Sequence, residues 1–162
     1  MFDELNARIE DKNILLLGVG NRLRGDDGVG SYLIKRLQKK VNIPLLDAGD
    51  VPENCISQIE SSGANMVLIV DAADFNASPG EITLVDFADI RKIGMSTHSA
   101  NLDLLFKVIP KNKRPETLLV AIQPGSTSTG SGLSEAVRDS LDGWSRYLSE
   151  CLKNKTGYAP VL

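Results

Sequence analysis

The sequence predicts an α/β fold: one domain on a mostly parallel, five-stranded sheet with helices on both faces. Three observations carry this. Strand-sized apolar runs alternate with helix-sized amphipathic stretches along the chain. Two of the runs, Asn13 to Val19 and Met66 to Asp71, are apolar without alternation, as strands covered on both faces are. The 162 residues, 42% hydrophobic and 24% charged, suit a single globular domain.

The first strand, Asn13 to Val19, enters a glycine-rich turn and then a helix over Gly28 to Lys40, with Val29, Leu33, Ile34 and Leu37 on one face. Lys35, Arg36, Lys39 and Lys40 fall in its last turns, where cations suit the helix dipole. A short second strand spans Ile43 to Asp47, and a short helix over Asn54 to Ser61 is ended by Gly63. The third strand is Met66 to Asp71. Ser78-Pro79-Gly80 marks a turn, and the alternating stretch Glu81 to Phe87 reads as an edge strand, antiparallel to the rest. Ser99 to Ile109 is helical through Leu102, Leu105, Phe106 and Ile109, and Pro110 ends it. Thr117 to Ile122 is a buried strand. Ser131 to Leu152 is the longest helix, with Leu133, Val137, Leu141, Trp144 and Leu148 as core positions and Trp144 as a packing residue. The domain spans 1–162, with an ordered core of about 13–152 and a frayed tail over 153–162; no repeat or low-complexity linker interrupts it.

Right-handed crossovers bring the carboxyl ends of the parallel strands to one edge, where α/β proteins bind ligands. Asp27, Asp47, Asp71 and Gln123 follow strands and crowd that edge, and His98 stands just before a helix. Composition narrows what the edge can serve. A formal net charge of −3 argues against a nucleic-acid partner. The longest apolar runs are strand-sized, so no membrane insertion is expected, and the polar, acidic N-terminal stretch is unlike a signal peptide. Cys55 and Cys151 form no CxxC pair, which excludes a zinc ribbon and a thioredoxin-type site. A cytoplasmic protein with reduced thiols, monomeric or weakly oligomeric, is the expectation.

The turn Gly18 to Gly30, G-V-G-N-R-L-R-G-D-D-G-V-G, resists both nucleotide readings. Leu23 occupies the place of the third Rossmann glycine, and Asp26 and Asp27 stand where a P-loop has Lys and Ser/Thr. Two ionised carboxylates repel a phosphate and favour a cation. Either acid could instead cap the following helix, although one cap needs only one side chain. Asp71 could bond a neighbouring loop, with Asp74 as a solvent-facing satellite, and His98 could be a structural histidine. It is the only histidine in the chain, and the only side chain that ordinarily titrates near neutrality. Two carboxylates and an imidazole converging on one edge make a plausible metal-ligand set. No G-x-S-x-G elbow exists, and Cys55, beside Ile56 and Ile59, reads as a structural cysteine.

The turn resembles the opening motif of the NiFe-hydrogenase maturation endopeptidases, G-x-G-N-x-x-x-x-D-[DE]-G-x-G. The resemblance continues in D-A-G-D-V-P-E-N (Asp47 to Asn54), L-I-V-D-A-A-D (Leu68 to Asp74), S-P-G-E-I (Ser78 to Ile82), T-H-S-A-N-L (Thr97 to Leu102) and A-I-Q-P (Ala121 to Pro124). It runs from Ile14 to Trp144 and is greatest toward the hydrogenase-3-type branch. It implies a doubly wound fold and an endopeptidase that removes the C-terminal extension of a nickel-loaded large-subunit precursor. Carried over residue by residue, the metal-contacting positions are Asp27, Asp71 and His98.

On that basis Asp27, Asp71 and His98 meet nickel presented by the precursor, and the enzyme is largely apo at rest. The attacking group is either a metal-polarised water or a water activated by Asp27 or Asp71 as general base. Asp26 is left a supporting or capping role. The alternative is a non-catalytic nickel-binding maturation factor or chaperone. A nucleotide-binding domain is a weaker third.

Overall fold

The computed structural model describes residues 1–92 and 98–155. Its elements are α1 Phe2–Ile9, β1 Ile14–Val19, α2 Val29–Leu37, β2 Leu45–Gly49, α3 Ile56–Ser61, β3 Met66–Ala72, β4 Ile82–Asp86, α4 Ser99–Val108, β5 Glu116–Ile122 and α5 Glu135–Cys151. The five strands form one sheet of order β2-β1-β3-β5-β4. β1, β2, β3 and β5 are parallel, and β4 runs antiparallel along β5 at the edge. Every residue of β1 and β3 is buried, as their unbroken apolar runs require.

Successive strand residues face opposite sides, and two cores result. Leu16, Leu68, Val70 and Val120 pack with Leu5, Leu33, Leu141 and Trp144, so α1, α2 and α5 cover one face. Leu17, Ile69 and Leu119 pack with Ile59, Leu102 and Phe106, so α3 and α4 cover the other. The sheet is therefore doubly wound. From β1 the chain passes outward to β2, then returns across β1 to β3, which puts the reversal of strand order between β1 and β3. A crevice opens at such a switch point.

The structure corrects the sequence reading in four places. The N-terminal stretch is no polar lead: it folds as α1, with Leu5 and Ile9 in the core, so the ordered core begins before residue 13. β2 starts at Leu45 rather than Ile43, because Pro44 has no N–H for the ladder and supplies only its carbonyl, to Leu16 N. α2 stops at Leu37, and Lys39, at φ 65°, has already left it with Lys40. α5 starts at Glu135 rather than Ser131, because Gly130 and Gly132 take positive φ and Ser134 is extended. Of the expected tail, residues 156–162 lie outside the described residues, while Lys155 Nζ donates to the carbonyls of Ile9 and Glu10 at the end of α1. Trp144 is 1% exposed, clustered with the rings of Phe2 and Tyr147, and is a packing residue as its spacing indicates.

Candidate active site

Asp71 is the sixth residue of β3, as the expected strand Met66 to Asp71 has it, and the strand runs one residue further, to Ala72. Strand alternation from Val67 and Ile69 aims it at the α4 face. His98 is the N-cap residue of α4, and its flanking residues Ser96 and Thr97 lie outside the described residues. Asp27 sits in a 3-10 turn, Gly25–Gly28, between β1 and α2. The three meet at the β1/β3 crevice: His98 Nδ1 is 3.5 Å from Asp71 Oδ1 and 4.0 Å from Asp27 Oδ1. All three are buried. Among the described residues no three His, Cys, Asp or Glu side chains close into a ready metal cage. The arrangement is an open one, with the imidazole between two carboxylates.

The glycines make this approach possible. Gly20 has φ +128°, and a Cβ there would stand 1.7 Å from the Asp27 carbonyl oxygen, because the turn folds back on itself. Gly30 lets α2 lie directly on the sheet: a Cβ would meet Val70 O at 2.2 Å and Val19 O at 2.4 Å. Neither acid of the pair caps α2, whose N-cap residue is Gly28 with no side-chain cap bond. Asp27 Oδ2 accepts from Asn21 N at 3.0 Å, leaving Oδ1 on the His98 side. Asp26 is fully buried and turns the other way, toward 125–134.

The charges act on one group above all. Contact with the Asp71 carboxylate raises the His98 pKa above the usual histidine value. Burial opposes this, and the fields of Asp71, Asp27 and Asp50 add to the rise. The protonated imidazole is thus the form that the Asp71 and Asp27 carboxylates favour. A metal bound by the ring must displace the proton.

The other residues expected at this edge have separate tasks. Asp47 lies within β2 and accepts from Ser31 Oγ at 2.6 Å and Gly49 N at 3.2 Å. Gln123 Oε1 takes Phe75 N and Ala77 N, and its Nε2 donates to exposed Asp74, so it clamps a loop. Cys55 is buried in the α3/α4 core, and burial, with Asp47 second, pushes its thiol pKa up, as suits a structural cysteine. Asp50, which sequence reasoning did not single out, acts on His98 only through space, an effect that spacing does not reveal. A cleft of about 600 Å³ lies beyond Asn21, whose N–H bonds Asp27; it is lined by Asn21, Arg22, Leu23, Ser31, Asp47 and Asp50 among others, and by none of Asp27, Asp71 and His98.

The family profile described as HycI, hydrogenase maturation protease, matches residues 28–148. The chain belongs to the hydrogenase maturation protease family. The hydrogenase 3 maturation protease of Escherichia coli is 34% identical over 140 residues, covering 80% of this chain and 89% of that one. The crystal structure of a NiFe hydrogenase maturation protease HycI from Thermococcus kodakarensis superposes with a TM-score of 0.83 at 29% identity, over 93% of this chain and 99% of that chain. The solution structure of an Escherichia coli endopeptidase HycI gives 0.72 at 29% identity over the same shares. This maturation protease is thus a hydrolase on a doubly wound scaffold. No helix among its described residues is long and apolar enough to cross a membrane.

Proposed function

We propose that this protease removes the C-terminal extension of a NiFe-hydrogenase large-subunit precursor once nickel is in place, and that Asp27, Asp71 and His98 meet that nickel. The observation that carries this is the convergence of the three buried side chains, 3.5 and 4.0 Å apart, at the switch-point crevice. Donors that share an ion about 2.1 Å away lie roughly 3.0–3.4 Å apart, so small shifts would let all three face one cation. Two carboxylate oxygens and an imidazole nitrogen suit a divalent ion and leave coordination positions open for groups the precursor brings. The nickel is the precursor's cargo, and the protease works in the cytoplasm without a resident metal. An unloaded precursor brings no cation for the facing carboxylates, which makes the metal a recognition element.

The cleft beyond Asn21 has room for an extended peptide segment. In this scheme the scissile carbonyl lies near the ion, and a carboxylate of the pair takes the proton of the attacking water. A metal ligated by the imidazole would send any proton the ring carries to solvent, leaving Asp71 ionised for that task.

The test is mass spectrometry of nickel-loaded and nickel-free precursor, each with and without the protease. Loss of a C-terminal peptide from the loaded form alone is expected. Asp27→Asn, Asp71→Asn and His98→Ala are each expected to abolish it with the fold intact. A folded, fully active His98→Ala protein would sink the site assignment.

A further inference from the structure

The turn that carries Asp27 is held in place from outside the crevice. Asp26, its neighbour, is a fully buried carboxylate. Such a group is costly unless its oxygens are satisfied, and here four donors satisfy them. Oδ2 accepts from Gly125 N at 2.8 Å, Ser126 N at 2.9 Å and Ser134 Oγ at 2.8 Å, and Oδ1 accepts from Ser134 N at 2.7 Å. All four donors belong to the segment that leads into α5. Two backbone bonds reinforce the junction, Asp26 N to Ser126 O and Gly130 N to Leu23 O. Gly25, at φ +54°, fits the same contact: a Cβ there would stand 2.5 Å from Ser126 O and from Ser131 Oγ.

Ser134 shows that this junction outranks local helix chemistry. It is the N-cap residue of α5, where a serine ordinarily accepts from an exposed helix N–H. α5 has no such side-chain cap bond; the hydroxyl donates to Asp26 instead.

We propose that Asp26 and Ser134 form a positioning pair that fixes Asp27 against His98, so that the docking of α5 sets the geometry of the site. Resting on the assignment of Asp27 to the reactive triad, this adds a control point at residue 134. Asp26 touches neither substrate nor metal; it acts through Asp27. Misplacement of a reacting group by about 1 Å can cost on the order of a hundredfold in rate. Loss of one of Asp26's four bonds should cost less, about tenfold.

The test uses Ser134→Ala and Ser134→Thr with two readouts. One is the cleavage of nickel-loaded precursor, resolved into kcat and KM. The other is the imidazole ring signal in NMR, which belongs to His98 without assignment because the chain has one histidine. Ser134→Ala is expected to lower kcat about tenfold with KM little changed, and to displace the ring signal. Ser134→Thr, which keeps the hydroxyl, is expected to restore both. A folded Ser134→Ala protein with wild-type kcat and ring signal overturns the proposal, as does a folded Ser134→Thr protein as impaired as the alanine variant. If Ser134→Ala does not fold, Ser134→Gly removes the hydroxyl while keeping an acceptable N-cap. If the wild-type protein cleaves nothing, the site assignment fails, and the ring signal alone still decides whether residue 134 positions Asp27.

Discussion

His98 is where the chemistry of the site can be read most directly. The Asp71 carboxylate holds its pKa above the usual 6.5, against the effect of burial. Its protonated form is therefore favoured by folding. That contribution is complete below about pH 6.5 and is lost as pH rises through the raised folded value. Thermal melts between about pH 6 and pH 9 should show Tm falling on the alkaline side, and Asp71→Asn should flatten the fall. A wild-type Tm that does not fall across that window would contradict the pairing. A second residue-scale expectation concerns Gly30, whose missing side chain lets α2 sit on two carbonyl oxygens of the sheet. Gly30→Ala is expected to cost about 3 kcal/mol, measured by urea unfolding, since the helix must shift off the sheet. Each of Asp27, Asp71 and His98 also had a structural explanation, as a cap, a loop anchor or a packed histidine. What grouped them as one candidate site was their common place at strand ends and helix starts, and the structure brings the three side chains together. A supporting role for Asp26 was legible but its partner segment, about a hundred residues away, was not, and neither was the effect of Asp50, which acts through space.

Among the elements, β1 and the start of β3 were read as strands because their apolar runs are unbroken and too short for a buried helix. The antiparallel edge strand β4 was equally plain from its alternation. α1 was missed because the polar, acidic make-up of residues 1–13 as a whole outweighs two core residues. Leu5 and Ile9, four apart, are enough to bury one stripe. Leu5→Ala is expected to destabilise the protein by about 3 kcal/mol in urea unfolding, the range for a fully buried leucine. A cost below about 1 kcal/mol would mean that α1 is peripheral. Arg8 on the outer side of α1 pairs with Asp86 of β4 and Glu116 of β5. These pairs are partly exposed, so Arg8→Ala should cost at most about 1 kcal/mol. The start of α5 was misjudged because the apolar spacing extends back to Leu133, while the backbone there serves Asp26 instead.

For the molecule as a whole, the strand order places the crevice between β1 and β3, and one acid arrives from each. Binding there is linked to folding. A divalent cation that binds only the native triad raises stability by about 2.7 kcal/mol at a hundred times its dissociation constant. Nickel is therefore expected to raise Tm in the wild-type protein and to leave His98→Ala unmoved; equal shifts in both would place the metal elsewhere. The pieces of the site are spread from Asp27 through Asp71 and His98, and Asp26 is secured only when residues 125–134 arrive ahead of the final helix. Nothing that stops short of residue 134 contains all the parts. A polypeptide still emerging from the ribosome would carry the acids before residues 125–134 could hold Asp26, so the alignment of Asp27 waits on a part of the chain made about a hundred residues later.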